Sequence, residues 1–176
     1  MAKLRKMLGS LNDPKIPALM AAIETQSKET LARWAAGAVQ TRYLPVYEKA
    51  FPEDPRLREL TDIAIRCADG EISLSDLKGA IRLARSIPKE AETGGPAAVA
   101  AARAVITGCG VFGTPTNALG YLFYGAAASA YDTLGTEAPA ADYDQFARQE
   151  FQTLLEMLGA ESVSDESHPV KINWNC

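Results

Sequence analysis

Residues 51–73 read FPEDPRLRELTDIAIRCADGEIS, and they decide the fold class because both ends of one helix are written into them. Pro52 has no backbone N–H to donate and stops the segment before it. Asp54 is a good N-cap, and Pro55 is pre-set for the first helical position. Leu57, Leu60, Ile63, Ala64 and Cys67 then recur at helical spacing, while Arg56, Arg58, Glu59, Asp62 and Arg66 fall mainly on other faces. Gly70 reads as the residue just past the helix, where the backbone turns left-handed. Three residues on, Ser73 and Asp76 make a capping pair of the S-x-x-[DE] kind and open a helix through Leu77, Ile81, Leu83 and Ala84. The run predicts a tight helical hairpin.

Reading outward, the same period continues on both sides. In SKETLARWAAGAVQTRYLPVYEKAF, Ser27 is an N-cap and Leu31, Trp34, Ala35, Ala38 and Val39 share a stripe. Pro45 interrupts that pattern, so the helix is expected to kink, with Pro45 to Phe51 as a separate last turn. Residues 86–96, SIPKEAETGGP, read as a polar linker. Between Gly95 and Tyr131 the only charged residue is Arg103. Gly113, Thr114, Pro115 and Asn117 divide this run, so neither half is a clean membrane span of about twenty residues. Two buried central helices, rich in Ala and Gly because their neighbours come close, are expected instead. A last helix over about 139–158 carries Tyr143, Phe146, Ala147, Phe151, Leu154, Leu155 and Leu158 on one face and ends at Gly159. No strand pattern of useful length occurs. The expectation is an all-α protein, a compact bundle of about six to seven helices in consecutive antiparallel hairpins. It forms a single domain over 1–176, with a core at about 15–159 and a mobile tail at 160–176 unless Ile172 and Trp174 dock back on the body.

Composition narrows the function classes. The 176 residues are 47% hydrophobic and 23% charged, as in an ordinary globular chain. The net charge of −4 is unevenly spread: residues 137–166 carry eight acids against Arg148, and residues 1–136 are slightly basic. No basic face stands out, so no nucleic-acid partner is expected. The acidic last helix could meet a basic partner, although a solvated face is the simpler account. Cys67, Cys109 and Cys176 are odd in number and far apart, which fits a reducing cytoplasm, and NWNC at the end is not a prenylation box. The basic start MAKLRKMLG lacks the apolar run of a secretory signal, so export by that route is not expected.

The chemistry available is thin. His168 is the only histidine and lies in the tail, so neither a histidine triad nor a zinc site is expected. Cys109 sits on a nearly neutral helix and reads as a buried thiol. Gly108, Gly110 and Gly113 spell GxGxxG without the preceding strand that a phosphate-cradling loop needs, and helix packing explains them better. Asp69 with Glu71, and Glu53 with Asp54, stand at helix ends where acids complete caps. No catalytic constellation, cofactor or metal is expected. Arg103 must be paired or reach the surface, and an ion pair with an acid of another helix is the first expectation. Arg103, Asn117, Tyr121 and Tyr124 are the candidate ligand or partner site, since two tyrosine hydroxyls and an amide accompany that lone charge.

Taken in order, these segments resemble the immunity five-like family of immunity proteins. The resemblance is carried by Trp34-Ala35, by Leu44-Pro45 before an aromatic, by the P-x-D-x-R hairpin at Pro52 to Arg56, and by the close Cys67-Ala68 to Gly70-Glu71-Ile72. GPAAVAAARAV and NALGYLFYGA continue it, so that it covers roughly residues 30–131 and leaves the last helix and tail outside. The family usually carries histidines just before its Ala-Leu-Gly segment; here Asn117 holds the last such place, so no imidazole role transfers, and no functional residue is carried over. The resemblance implies an all-helical cytoplasmic protein that binds and neutralises a cognate toxin without catalysis. A small-molecule-binding protein or enzyme with a pocket near Arg103, Cys109, Asn117 and Tyr121 is the alternative. A structural homodimer stays open beside it.

Overall fold

The structure, a computed structural model, describes residues 3–175; Cys176 lies outside them. Among the described residues every regular element is helical. Seven helices have nine residues or more: α1 (Lys15–Ile23), α2 (Lys28–Ala38), α4 (Arg56–Ala68), α5 (Leu74–Ala84), α7 (Pro96–Cys109), α8 (Asn117–Leu134) and α9 (Ala140–Glu161). Two shorter ones, α3 (Leu44–Ala50) and α6 (Ile87–Glu90), fill the connections. The chain is all-α, as the periodicity requires.

The opening hairpin forms by local rules. Asp54 Oδ1 accepts the Arg56 N–H at 3.1 Å, and Pro55 already has helical dihedrals. At the other end Gly70 takes φ +80°. Its N–H reaches the Cys67 carbonyl at 3.1 Å, while the Glu71 N–H reaches that of Arg66 at 2.8 Å. Those two bonds define a Schellman close, which satisfies carbonyls the helix leaves bare. Ser73 Oγ then caps α5 by accepting from the Asp76 N–H at 3.1 Å. Leu77 and Ala84 are buried on α5, yet Leu83 is 82% exposed, because it lies about a quarter turn off the stripe those residues define.

α7 and α8 form the centre. Ala98, Ala100, Ala101, Ala102 and Ala104 of α7 are buried, as are Ala118, Ala126, Ala127, Ala128 and Ala130 of α8. Small side chains let backbones approach closely, and the three glycines of GxGxxG are explained the same way. A Cβ on Gly108 would lie 2.5 Å from Val39 Cγ1, one on Gly110 2.8 Å from Asn117 Nδ2, and one on Gly113 3.0 Å from Leu74 Cδ1. Around this pair α3 and α4 pack on α7, α9 packs on α8, α1 packs on α9, and α2 touches both α4 and α9.

Three local expectations change. The chain does not break at Pro45: the helix widens into a π-turn over Val39–Tyr43 and runs on into α3, with Pro45 in its first turn. Residues 86–96 are not a loose linker: α6 and a 3₁₀ turn over Ala91–Gly94 pin them, with Ile87 and Ala91 fully buried. Two isolated anchors are too few to show a period. The tail follows its docked alternative. Gln26 accepts the Val163 N–H at 2.9 Å through its side chain and the Val170 N–H at 2.9 Å through its carbonyl. Glu166 accepts the Thr30 hydroxyl at 2.7 Å, and Ile172 and Trp174 pack half-buried against the core.

A charged cluster fastens α3, α4 and α6 at the hairpin mouth. Tyr47 donates its hydroxyl to Asp54 at 2.7 Å, and Arg56 grips Asp54 through Nε at 2.9 Å and Nη2 at 2.7 Å. The same Nη2 reaches Glu90 at 2.7 Å. The Arg56 hydrogen bonds, aided by Tyr47, hold the Asp54 carboxyl well below the usual carboxylate range. Because the folded state favours ionised Asp54, this contribution is whole above the unfolded value of about 4 and is lost as pH falls below it. Asp54→Asn is expected to lose about 1–3 kcal/mol at neutral pH in urea unfolding. It should also show a shallower fall in stability than the parent between about pH 4 and pH 2. Parallel stability–pH curves for the two proteins would contradict that assignment.

Candidate functional site

The most deeply buried ion pair among the described residues is at the π-turn, away from the residues the sequence singled out. Glu150 of α9 is 3% exposed. Arg42 holds it with a two-pronged grip, Nε to Oε1 at 2.8 Å and Nη2 to Oε2 at 2.7 Å. Tyr43 donates its hydroxyl to Oε1 at 2.8 Å. A carboxylate taken out of water is costly unless it is paired and hydrogen-bonded, and here three donors meet it. The Glu150 hydrogen bonds raise the Arg42 pKa further, so the guanidinium stays charged at any working pH.

The π-turn positions these groups. Its wider coil places Val39 over Gly108 of α7 and Tyr43 over Gly125 of α8, where a Cβ would lie 2.2 Å from the Tyr43 ring. Arg42 is left pointing at α9. Beside them Trp34 donates Nε1–H to the Leu154 carbonyl at 3.2 Å and meets the Tyr121 ring edge-on at 5.3 Å. Such widened turns are frequent at functional sites. This one is filled with protein side chains and ties α2, α8 and α9 together.

The predicted site residues do not gather in one place. Arg103 makes no ion pair among the described residues, against expectation; it is half-buried and reaches the surface along a groove with Leu4, Lys6, Glu92 and Tyr131. A long side chain on an Ala-rich helix can bury its stem and leave its head wet, so no partner is required. Asn117 lines a different groove, beneath α5. Tyr121 is fully buried, and its hydroxyl has no hydrogen-bond partner. Burial first, and the Glu150 charge second, raise its pKa well above the usual phenol value. Tyr124 is half-buried against the core. Cys109 is buried and burial pushes its thiol up, which makes it a poor nucleophile.

The acidic C-terminal region is also partly spent. Glu150 is internal, Asp144 pairs with Arg5 at 2.7 Å, and Glu166 binds Thr30. The exposed face of α9 mixes Asp142, Gln145, Arg148, Gln149 and Glu156, and it is not a uniform acidic patch. Among the described residues no group of metal-binding side chains occurs, and no helix is long and apolar enough to cross a membrane.

An all-helical scaffold with one glutamate, Glu150, locked inside by Arg42 and Tyr43, and with most other charges on outer faces, defines the class: a helical protein tied together by polar contacts. The chain belongs to the family described as Imm-5 like putative immunity protein, whose model matches residues 21–157. That span is wider than the resemblance drawn from the motifs. It includes most of α9, hence Glu150, and leaves the tail outside. No curated protein and no solved structure matches the chain.

Removing one member of a buried pair leaves the other charge unsatisfied. Arg42→Met is therefore expected to cost about 3 kcal/mol, whereas Arg42→Met with Glu150→Leu together should recover part of the loss, less the cost of leaving the buried Tyr43 hydroxyl without its acceptor. Denaturant unfolding of the two single variants and the double variant measures this coupling, and strict additivity would contradict it. Tyr121→Phe removes a hydroxyl that has no partner; its unfolding midpoint is expected to equal or exceed that of the parent.

Proposed function

We propose that this chain is an immunity protein that binds a cognate toxin domain in the cytoplasm and neutralises it by protein–protein contact, without catalysis. Family membership over residues 21–157 is the observation that carries the reading. The physical character of the molecule supports it. Two side chains with catalytic potential are occupied or inert: Glu150 is locked by Arg42 and Tyr43, and the Cys109 thiol is buried. His168, the only imidazole, lies exposed in the tail. An inhibitor that acts by complementarity needs a well-ordered surface, and the cross-ties between distant segments supply one. Arg42 to Glu150, Trp34 to the Leu154 carbonyl and Gln26 to Val163 each join residues more than a hundred positions apart. A rigid surface gives up less entropy on association and so keeps more of its contact energy as affinity.

The test is paired expression with the toxin encoded in the adjacent reading frame. Cells that stop growing with the toxin alone are expected to grow when this chain is supplied, and the two proteins should co-elute as one stoichiometric complex. The interface should bury about 1,200–2,000 Å². Growth arrest undiminished by the chain, with no complex formed, would remove the proposal.

A further inference from the structure

We infer that the groove between α5 and the α7–α8 turn docks a carboxylate-bearing segment of a protein partner, an inference that rests on the immunity reading for the partner's identity. Lys78, Arg82 and Arg85 stand along one side of this groove, which has a volume of about 350 Å³. All three are exposed, and none has an ion pair among the described residues. Elsewhere on the molecule Arg33, Arg56, Arg58 and Arg66 each hold an acid. Cations at i, i+4 and i+7 lie on one helix face and repel one another, while the last-turn positions of Arg82 and Arg85 suit the helix dipole. A carboxylate placed between them relieves that repulsion, and the two guanidinium groups can each hold one in a two-pronged fashion.

The rest of the groove suits a peptide better than a nucleic acid. Leu74, Ile81 and Ile106 give it an apolar floor, and Thr107, Thr114 and Asn117 provide hydrogen-bonding groups on the far side. No aromatic side chain lines it, so there is no platform for stacking bases. The chain as a whole carries −4, which disfavours a long polyanion while leaving a local positive face able to steer an acidic surface. The walls are firm as well. Leu74 seats against Gly113, where a Cβ would be 3.0 Å from its Cδ1 and 3.5 Å from Lys78 Cε, and Asn117 seats against Gly110.

The experiment uses the full chain and its charge-reversed variant Lys78→Glu, Arg82→Glu, Arg85→Glu, each checked by circular dichroism and denaturant unfolding. A short peptide of alternating Glu and Leu is titrated while backbone amide resonances are followed. The expected result is movement at Lys78, Arg82, Arg85, Thr114 and Asn117, weakened by about tenfold or more in the variant and by added salt. No movement there, or tighter binding of a single-stranded oligonucleotide at the same residues, overturns the inference. Should the variant unfold, Arg82→Gln alone serves, with loss of peptide affinity as the expected result. In the toxin assay, full protection by the folded variant overturns the groove and leaves the immunity reading standing. Failure of the unaltered chain to protect removes that reading, and the peptide titration then decides the groove alone.

Discussion

The π-turn at Val39–Tyr43 is the constraint around which the other helices are arranged. A regular α-turn rotates each residue by 100°, and the wider coil, which turns less per residue, changes where Val39, Arg42 and Tyr43 point. With the wider coil, Val39 fits the gap at Gly108, Tyr43 fits the gap at Gly125, and Arg42 faces Glu150. Each glycine is needed because its missing Cβ is the space the incoming side chain occupies. The distortion loses some hydrogen-bond regularity within the helix, and the buried contacts on three helices offset it. Pro45 then restarts a normal helix, since its ring accepts the first-turn geometry and needs no donor.

The internal ion pair has a second role beside cohesion. A buried pair seldom stabilises a fold more than well-packed apolar side chains would, yet it discriminates among packings, because only one register satisfies both charges. Helices lined with alanine need such discrimination. Their faces are shallow and nearly uniform, so sliding by a turn changes apolar burial little. Arg42 with Glu150, and Trp34 with the Leu154 carbonyl, both fix where α9 stands along the rest of the body. The hydrogen bonds from Gln26 then hold the tail beside the start of α2.

Much of this was readable in the sequence wherever the cause is local. The caps at Ser27 and Ser73 and the Schellman close at Gly70 depend on neighbours within a few residues, and each stands where expected. The glycines at 108, 110 and 113 were rightly read as packing, although which side chains fill them was not readable. What sequence could not show lies at long range. Glu150 looked like one acid among eight in an acidic C-terminal region, and its partner is 108 positions away. A glutamate three residues after Ala147 and four before Leu154 was the available signal, since that spacing puts it on the buried face. Arg103 misled in the opposite sense, because an isolated charge in an apolar run suggests a buried partner when the helix in fact leaves it an edge to reach. The α5 groove was half visible: Asn117 stood out in the sequence, but Lys78, Arg82 and Arg85 carried no signal that set them apart.

The alanine and glycine surfaces of α7 and α8 bear on how this protein can diverge over generations. Burying alanine freezes no side-chain rotamers, so the central pair packs at little entropic cost, but it also has no flexible side chain able to yield to a newcomer. Where a Cβ already collides, as at Gly108 and Gly125, even the smallest enlargement is resisted by a fully buried ring or branched side chain. Heritable variation is thereby pushed outward, onto α5 and the open face of α9, whose side chains can change without disturbing the interior. A centre that resists change under a rim that accepts it is what the proposed immunity role would use to follow a changing toxin.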